Sequence, residues 1–224
     1  MTVVAPDAER SAVGHAITTL TPLRAIPYRR GQDLMGYASN GTPADCVKLA
    51  LGALFERRPD LVVSGINLGP NVATNVIYSG TVSAATEARI LGVPSIAISL
   101  ATFTDPIWSY AAAFGREIAV QVLEHGLPDK VLLNVNVPNL PSSEVRGVRV
   151  TRQGDSRFVE GFDAREDPRR RPYYWLSGTF RMLDDDPGTD TWAVQNGYVS
   201  VTPIKFDLTA YEELDTLAGW RWRA

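Results

Sequence analysis

Ser11 and Asn67 stand in the two stretches of this chain whose composition most suggests chemistry. Ser11 lies in Pro6-Asp7-Ala8-Glu9-Arg10-Ser11-Ala12-Val13-Gly14-His15, directly after the apolar residues 2–5. Asn67 lies in Gly-Ile-Asn-Leu-Gly-Pro-Asn-Val-Ala-Thr-Asn, directly after the apolar residues 61–64. Both offer neutral oxygen donors, the kind that suits a hard cation such as Mg²⁺, Mn²⁺ or Ca²⁺. A third stretch, Ser79-Gly80-Thr81, precedes a helical pattern. Backbone N–H groups, a hydroxyl and a positive dipole end at such a helix start suit an anion such as phosphate. Gly41-Thr42 stand before another helix. Each motif taken singly has a structural reading. Ser and Thr before helices are mostly N-caps, and Asn and Gly in loops mostly serve turns. A single histidine, His15, is not a metal site, and Asp45 reads as a first-turn acid favoured by the helix dipole.

These stretches gain weight from the elements that must position them. Residues 2–5, 61–64, 95–99 and 131–137 read as short apolar strands. Residues 44–57, 82–91 and 107–126 show apolar spacing of three and four and read as helices. Pro43 opens the first of these, and Gly92 with Pro94 closes the second. Strand–helix repetition of this kind predicts an α/β fold with three layers, a doubly wound and mostly parallel sheet. In such a sheet the carboxyl ends of the strands converge, which gathers the polar loops.

The later part of the chain reads differently. Residues 147–152 and 197–203 are strands, 209–217 a short closing helix, and Phe180-Arg-Met-Leu onward to residue 194 a loop. Residues 157–162 and 172–176 can pair as a hairpin arm around Asp-Pro-Arg-Arg. The division expected is a core over 1–150 and C-terminal strands, arm and helix over 151–224.

The 224 residues are 45% hydrophobic and 21% charged, which suffices for a sizeable core without disulfides. A net charge of −3 gives no reason to expect nucleic acid or an anionic membrane as partner. Arg169-Arg170-Arg171 is short and flanked by acids, so it reads as a solvated turn. Cys46 is the only cysteine, which excludes a disulfide framework and a Cys-rich zinc site. No apolar run is long enough to span a bilayer, and no secretory signal is visible, so the default expectation is a cytoplasmic protein. No Gly-x-Gly-x-x-Gly follows a first strand, which argues against a nicotinamide-binding oxidoreductase.

The motifs VVAPDAERSAVGHAIT, GTPADCVKLAL, DLVVSGINLGPN, YSGTVSAATEA, GVPSIAIS, LLNVNVP, DPRRRPYYWLSG and TDTWAVQNGYVSVTPIKFDLT, in this order and spacing, resemble the SurE family nearly end to end. The resemblance implies a Rossmann-like fold and a metal-dependent 5′/3′-nucleotidase, releasing phosphate from nucleoside monophosphates. It implies Ser11 and Asn67 as metal ligands and catalytic residues. Asn71, Ser79, Gly80 and Thr81 fall where the family shapes its phosphate pocket, and Gly41 and Thr42 border the same cleft. A homodimer or homotetramer through the 157–176 arm is implied as well. The family's other two ligands are adjacent aspartates in an Asn-Asp-Asp-Gly loop, and no position of this sequence matches them. The resemblance therefore implies a chain shorter than the pattern by about thirty residues, one βα unit. A start placed at an internal codon is the expected reason. The alternatives are an inactive truncated homologue and a metal-free phosphate or nucleotide binder. Exposed apolar faces at Val3, Val62 and Val63 are expected to accompany it.

Overall fold

The computed structural model describes residues 1–183 and 185–222. Its strands are β1 (Val3–Pro6), β2 (Ala25–Arg30), β3 (Asp33–Ser39), β4 (Val62–Leu68), β5 (Ser95–Ala101), β6 (Val131–Pro138), β7 (Val148–Val150), β8 (Ser156–Glu166), β9 (Pro172–Met182) and β10 (Val199–Lys205). Its α-helices are α1 (Pro43–Leu49), α2 (Asn75–Tyr78), α3 (Gly80–Ile90), α4 (Trp108–His125), α5 (Asp190–Gln195) and α6 (Leu214–Ala218). The larger sheet runs β4-β5-β6-β10-β7, a smaller one runs β1-β3-β2, and β8 pairs with β9 alone. The β4–β5 and β5–β6 pairings are parallel, while β10 lies antiparallel to β6.

The core forms because β5, Ser-Ile-Ala-Ile-Ser-Leu-Ala, is covered on both faces, as parallel strands usually are. Ile96, Ile98 and Leu100 join Val135 and Val137 of β6 and Val199 and Val201 of β10. Phe114, Ile118 and Val122 of α4 cover that face. On the opposite face Ala97 and Leu132 meet Val82 and Ala85 of α3. The far side of α3, Ala84 and Ala88, packs on Val47 of α1. These layers match the predicted three-layer α/β arrangement. No helix among the described residues is long and apolar enough to cross a membrane.

Several elements differ from the sequence expectations. The helix predicted over 44–57 is α-helical only to Leu49 and continues as one wide π turn over Ala50–Leu54. The β2–β3 hairpin was not anticipated, because most of its apolar side chains, Ile26, Tyr28, Leu34 and Met35, are exposed and leave no clean alternation. The loop predicted around residues 180–194 instead contains the end of β9 and helix α5, capped by Thr189, whose side chain accepts from the Trp192 N–H. The closing helix is a 3₁₀ turn at Tyr211–Glu213 followed by α6. Strands β1 and β4 are each the outer strand of their own sheet. Val3 and Val63 are exposed as expected, whereas Val62 is half-buried against the Val47 cluster.

Candidate active site

The loop after β1 is held at both ends by main-chain hydrogen bonds. The Asp7 N–H donates to Ser39 O at 2.7 Å, which ties the exit of β1 to the exit of β3. The Gly14 N–H donates to Tyr78 O at 3.0 Å, just before α3. Between these anchors Ser11 is exposed, and its hydroxyl donates to Glu9 Oε1 at 2.6 Å. Arg10 donates to Asn40 O at 2.9 Å and lies 3.6 Å from Asp7. Its own main-chain oxygen lies 3.6 Å from the point a Cβ on Gly80 would occupy, and Pro43 Cγ lies 2.9 Å from that point. A side chain at Gly80 would therefore press the starts of α1 and α3 apart at Pro43, while making only ordinary contact with the loop.

Helix α3 begins at this junction. Ser79 is its N-cap, with its Oγ accepting from the Val82 N–H at 3.1 Å. The N–H groups of Gly80 and Thr81 belong to the first turn, where no intrahelical partner exists. Thr42 begins α1 in the same manner but is more fully committed. Its Oγ1 accepts from Asp45 N at 3.1 Å and donates to Ala16 O at 2.7 Å. Asp45 closes the capping box through the Thr42 N–H at 2.9 Å and also accepts from the Thr18 N–H at 3.0 Å. Burial alone would raise the Asp45 carboxyl. The hydrogen bonds from Thr18 and Thr42 outweigh that and hold it below its ordinary value. Asp45 thus serves the cap, as its place in the first turn suggests.

Asn67 is set by an irregularity in β4. The register with β5 shifts between Ser64 and Asn67, which brings Asn67 opposite Ser99. Gly65 permits it: its φ is +125°, and a Cβ there would lie 2.3 Å from Ile98 O. Asn67 therefore lies in the last residues of β4 rather than in a loop beyond it. Its Nδ2 donates to Gly69 O at 2.8 Å and Leu68 O at 3.2 Å, so Oδ1 remains as the acceptor. Asn71 is buried in a network of amides. Its N–H donates to Asn136 Oδ1 at 2.8 Å, its Nδ2 to Ser99 Oγ at 2.7 Å, and its carbonyl accepts from Asn134 and Asn136. These bonds make Asn71 the anchor of the loop after β4.

The structure thus gathers Ser11, Gly41, Thr42, Ser79, Gly80 and Thr81 around the starts of α1 and α3. It places Asn67 and Asn71 around Ser99 at the carboxyl end of the larger sheet. Among the described residues no hydrogen bond joins Ser11 to Asn67. The two neutral oxygens do not by themselves fit a hard divalent cation, which needs carboxylate charge to replace its water. Among the described residues no three His, Cys, Asp or Glu side chains cluster as a metal centre.

Sequence reading passed over two buried acids. Asp190 accepts from the N–H groups of Ala73 and Gly154, both at 2.9 Å, and so joins α5 to the loop after β4. Glu87, 3% exposed, lies on α3 and bonds His15 and Lys48. The signal for Glu87 was a charge placed among Ser83, Ala84 and Ala88, all of which are buried.

Residues 1–160 match the family model described as Survival protein SurE. A 5′-nucleotidase SurE of Syntrophobacter fumaroxidans is 54% identical over 220 residues, covering 98% of this chain and 88% of that protein. One from Desulforamulus reducens is 52% identical over 221 residues, covering 97% and 86%. The crystal structure of the SurE protein from Aquifex aeolicus superposes with a TM-score of 0.82 at 44% identity, covering 96% of this chain and 86% of that one. With that extent of match to the model, to the relatives and to the solved fold, this chain belongs to the SurE family.

Proposed function

We infer that this chain is a phosphomonoesterase acting on nucleoside monophosphates, with a 5′-nucleotide as substrate and nucleoside and phosphate as products. The observation that carries this reading is the junction at Gly80, where the Ser11 loop lies beside the start of α3, with its Gly14 N–H donating to Tyr78 O and its Arg10 carbonyl near Gly80. The relatives named 5′-nucleotidase SurE support the same reaction class. A phosphate seated there would accept from the Gly80 and Thr81 N–H groups. Those donors would stabilise the charge that grows on its oxygens as the ester opens. Recognition centred on the phosphate rather than the base implies tolerance among nucleotides, 3′-nucleotides included.

Divalent-cation dependence is part of the proposal, with Ser11 and Asn67 as its neutral donors and carboxylates required in addition. No step is assigned to the cation. The absence of a carboxylate cluster among the described residues favours one second reading, a phosphate or nucleotide binder without hydrolysis. A homo-oligomer formed through the β8–β9 arm completes the proposal.

The test is phosphate release from 5′- and 3′-AMP in Mn²⁺, in Mg²⁺ and in chelator. Release that requires the cation is expected. Undiminished release in chelator removes the metal from the proposal. Saturable phosphate binding without release under any condition selects the second reading.

A further inference from the structure

We propose that His15, Glu87 and Lys48 form a pin that sets the phosphate site, with His15 and Glu87 as positioning residues for the reaction inferred above. The proposal rests on that reading for the nature of the site and on geometry for the pin. Glu87 is buried on α3, and each of its oxygens takes one partner from a different element. Lys48 Nζ, from the last turn of α1, donates to Oε1 at 2.6 Å. His15 Nε2, from the end of the Ser11 loop, lies 2.7 Å from Oε2. An ionised carboxylate only accepts, so the proton of that bond is on Nε2. Burial alone would raise the Glu87 carboxyl, but the bonds from Lys48 and His15 outweigh it and keep the group below its ordinary value.

The three elements joined here are the three that meet at the Gly80 junction. Helix α3 starts with Ser79-Gly80-Thr81, α1 follows Gly41-Thr42, and the loop holds Ser11 four residues before His15. Glu87 lies seven residues along α3 from Gly80, about 10 Å at the helical rise. It is too far to touch a phosphate at the helix start, so any effect on the reaction passes through the elements it joins.

Such a pin has a task that the sheets do not perform. The Ser11 loop leaves β1, whereas α3 follows β4, and these strands lie in different sheets. Among the described residues no strand ladder sets the loop against the helix. That relation rests on the Gly14–Tyr78 main-chain bond, on contacts at Gly80, and on Glu87. A buried ion pair is weak as a source of stability but can select one geometry among several. Misplacement of a binding group by about 1 Å can cost catalysis heavily, on the order of 10²-fold.

The experiment uses the full 224-residue chain, wild type and the variants His15→Ala, His15→Gln and Glu87→Gln. Four quantities are read: affinity for inorganic phosphate, phosphate release from 5′-AMP, amide hydrogen exchange over residues 7–15, and the melting temperature. His15 is on the surface, so His15→Ala leaves no core cavity. It is expected to melt close to wild type, exchange about tenfold faster in the loop and bind phosphate about tenfold more weakly. His15→Gln, whose amide can still donate to Glu87, should recover most of both, and Glu87→Gln should fall between. Unchanged exchange and phosphate affinity in His15→Ala overturn the pin. So does a loss that merely follows a lowered melting temperature and that His15→Gln does not recover. A wild type that binds phosphate and loses it in His15→Ala, yet hydrolyses no nucleotide, leaves the pin standing and removes the nucleotidase reading. A wild type with no phosphate affinity overturns both.

Discussion

Asn67 and Ser11 are both oxygen donors, yet their surroundings make them unequal. The Asn67 amide spends its N–H groups on the Leu68 and Gly69 carbonyls, which orients Oδ1 as the remaining acceptor. The Ser11 hydroxyl is exposed and donates to Glu9, an arrangement that a small rotation undoes. Asn67→Ala should therefore cost about 10²-fold in the rate of phosphate release, and Ser11→Ala about tenfold, as expected for lost polar groups at a reacting centre. Neither removes core volume, so melting temperatures should stay at the wild-type value. Phosphate release and a thermal melt on both variants check this, and equal rates in all three proteins would remove both residues from the site. At this scale the sequence was legible where a residue's role depends on its near neighbours. The caps Ser79 and Thr42, the first-turn acid Asp45 and the asparagine after an apolar run all follow from local pattern. The role of Glu87 was not legible beyond a charge on an otherwise small-residue face, because its partners lie 39 and 72 positions away. Asn71 was legible only as a polar loop residue, since its partners Ser99, Asn134 and Asn136 come from two later strands.

Among the elements, α1 carries the strongest local signal, and the structure uses all of it. Pro43 follows the cap, Asp45 completes the capping box, and Asp45 also holds the Thr18 N–H of the incoming chain. Its carboxyl is held below the ordinary 3.8, so the folded state favours the ionised form. The stability this supplies is whole above that value and is lost as the pH falls through the lower, folded value. Asp45→Asn should therefore cost about 1–2 kcal/mol at neutral pH, the range for a lost cap and a weakened charged bond. The loss relative to wild type should shrink below pH 3.8, where wild-type Asp45 is itself becoming protonated. Denaturant melts of both proteins across that range check it, and a constant gap at all pH values would show that ionised Asp45 is not what the fold needs. The strands β5 and β6 were legible for a related reason: burial on both faces leaves runs dominated by apolar residues, interrupted by the buried Ser95, Ser99, Asn134 and Asn136. The exposed β2–β3 hairpin was not, because it buries few side chains, and α5 was not, because six residues are too few to print a helical period and its buried face includes the polar Asp190 and Thr191.

At the scale of the molecule, the arm is the part with least support from the rest. Strands β8 and β9 have eleven residues each and, among the described residues, pair only with one another. A two-stranded hairpin is marginal in water when nothing covers it. This one is stiffened at its tip, where Asp167 accepts from the Arg169 and Arg171 N–H groups and pairs with the Arg171 side chain. Its sides remain apolar and open. Phe162 and Leu176 lie directly opposite in the ladder, at 66% and 60% exposure, with Tyr174 at 64% two residues along the same face. Cross-strand neighbours of this kind reinforce each other only weakly without a further layer. Our proposal reads this exposed apolar stripe as a contact surface. A second copy of the chain, offering the same arm, is the occupant our proposal assigns to it. The double replacement Phe162→Ser and Leu176→Ser should then lower the mass measured by sedimentation equilibrium toward that of one chain. The β4-β5-β6-β10-β7 sheet has its own core of Ile96, Ile98, Leu100 and Val135, with no arm residue among the described members of that cluster. Its secondary structure should therefore survive, and the melting temperature should lose any dependence on protein concentration that the wild type shows. A double variant that keeps the wild-type mass would move the contact off the arm, and the exposed Leu208, Tyr211 and Trp220 near α6 would become the surface to replace next.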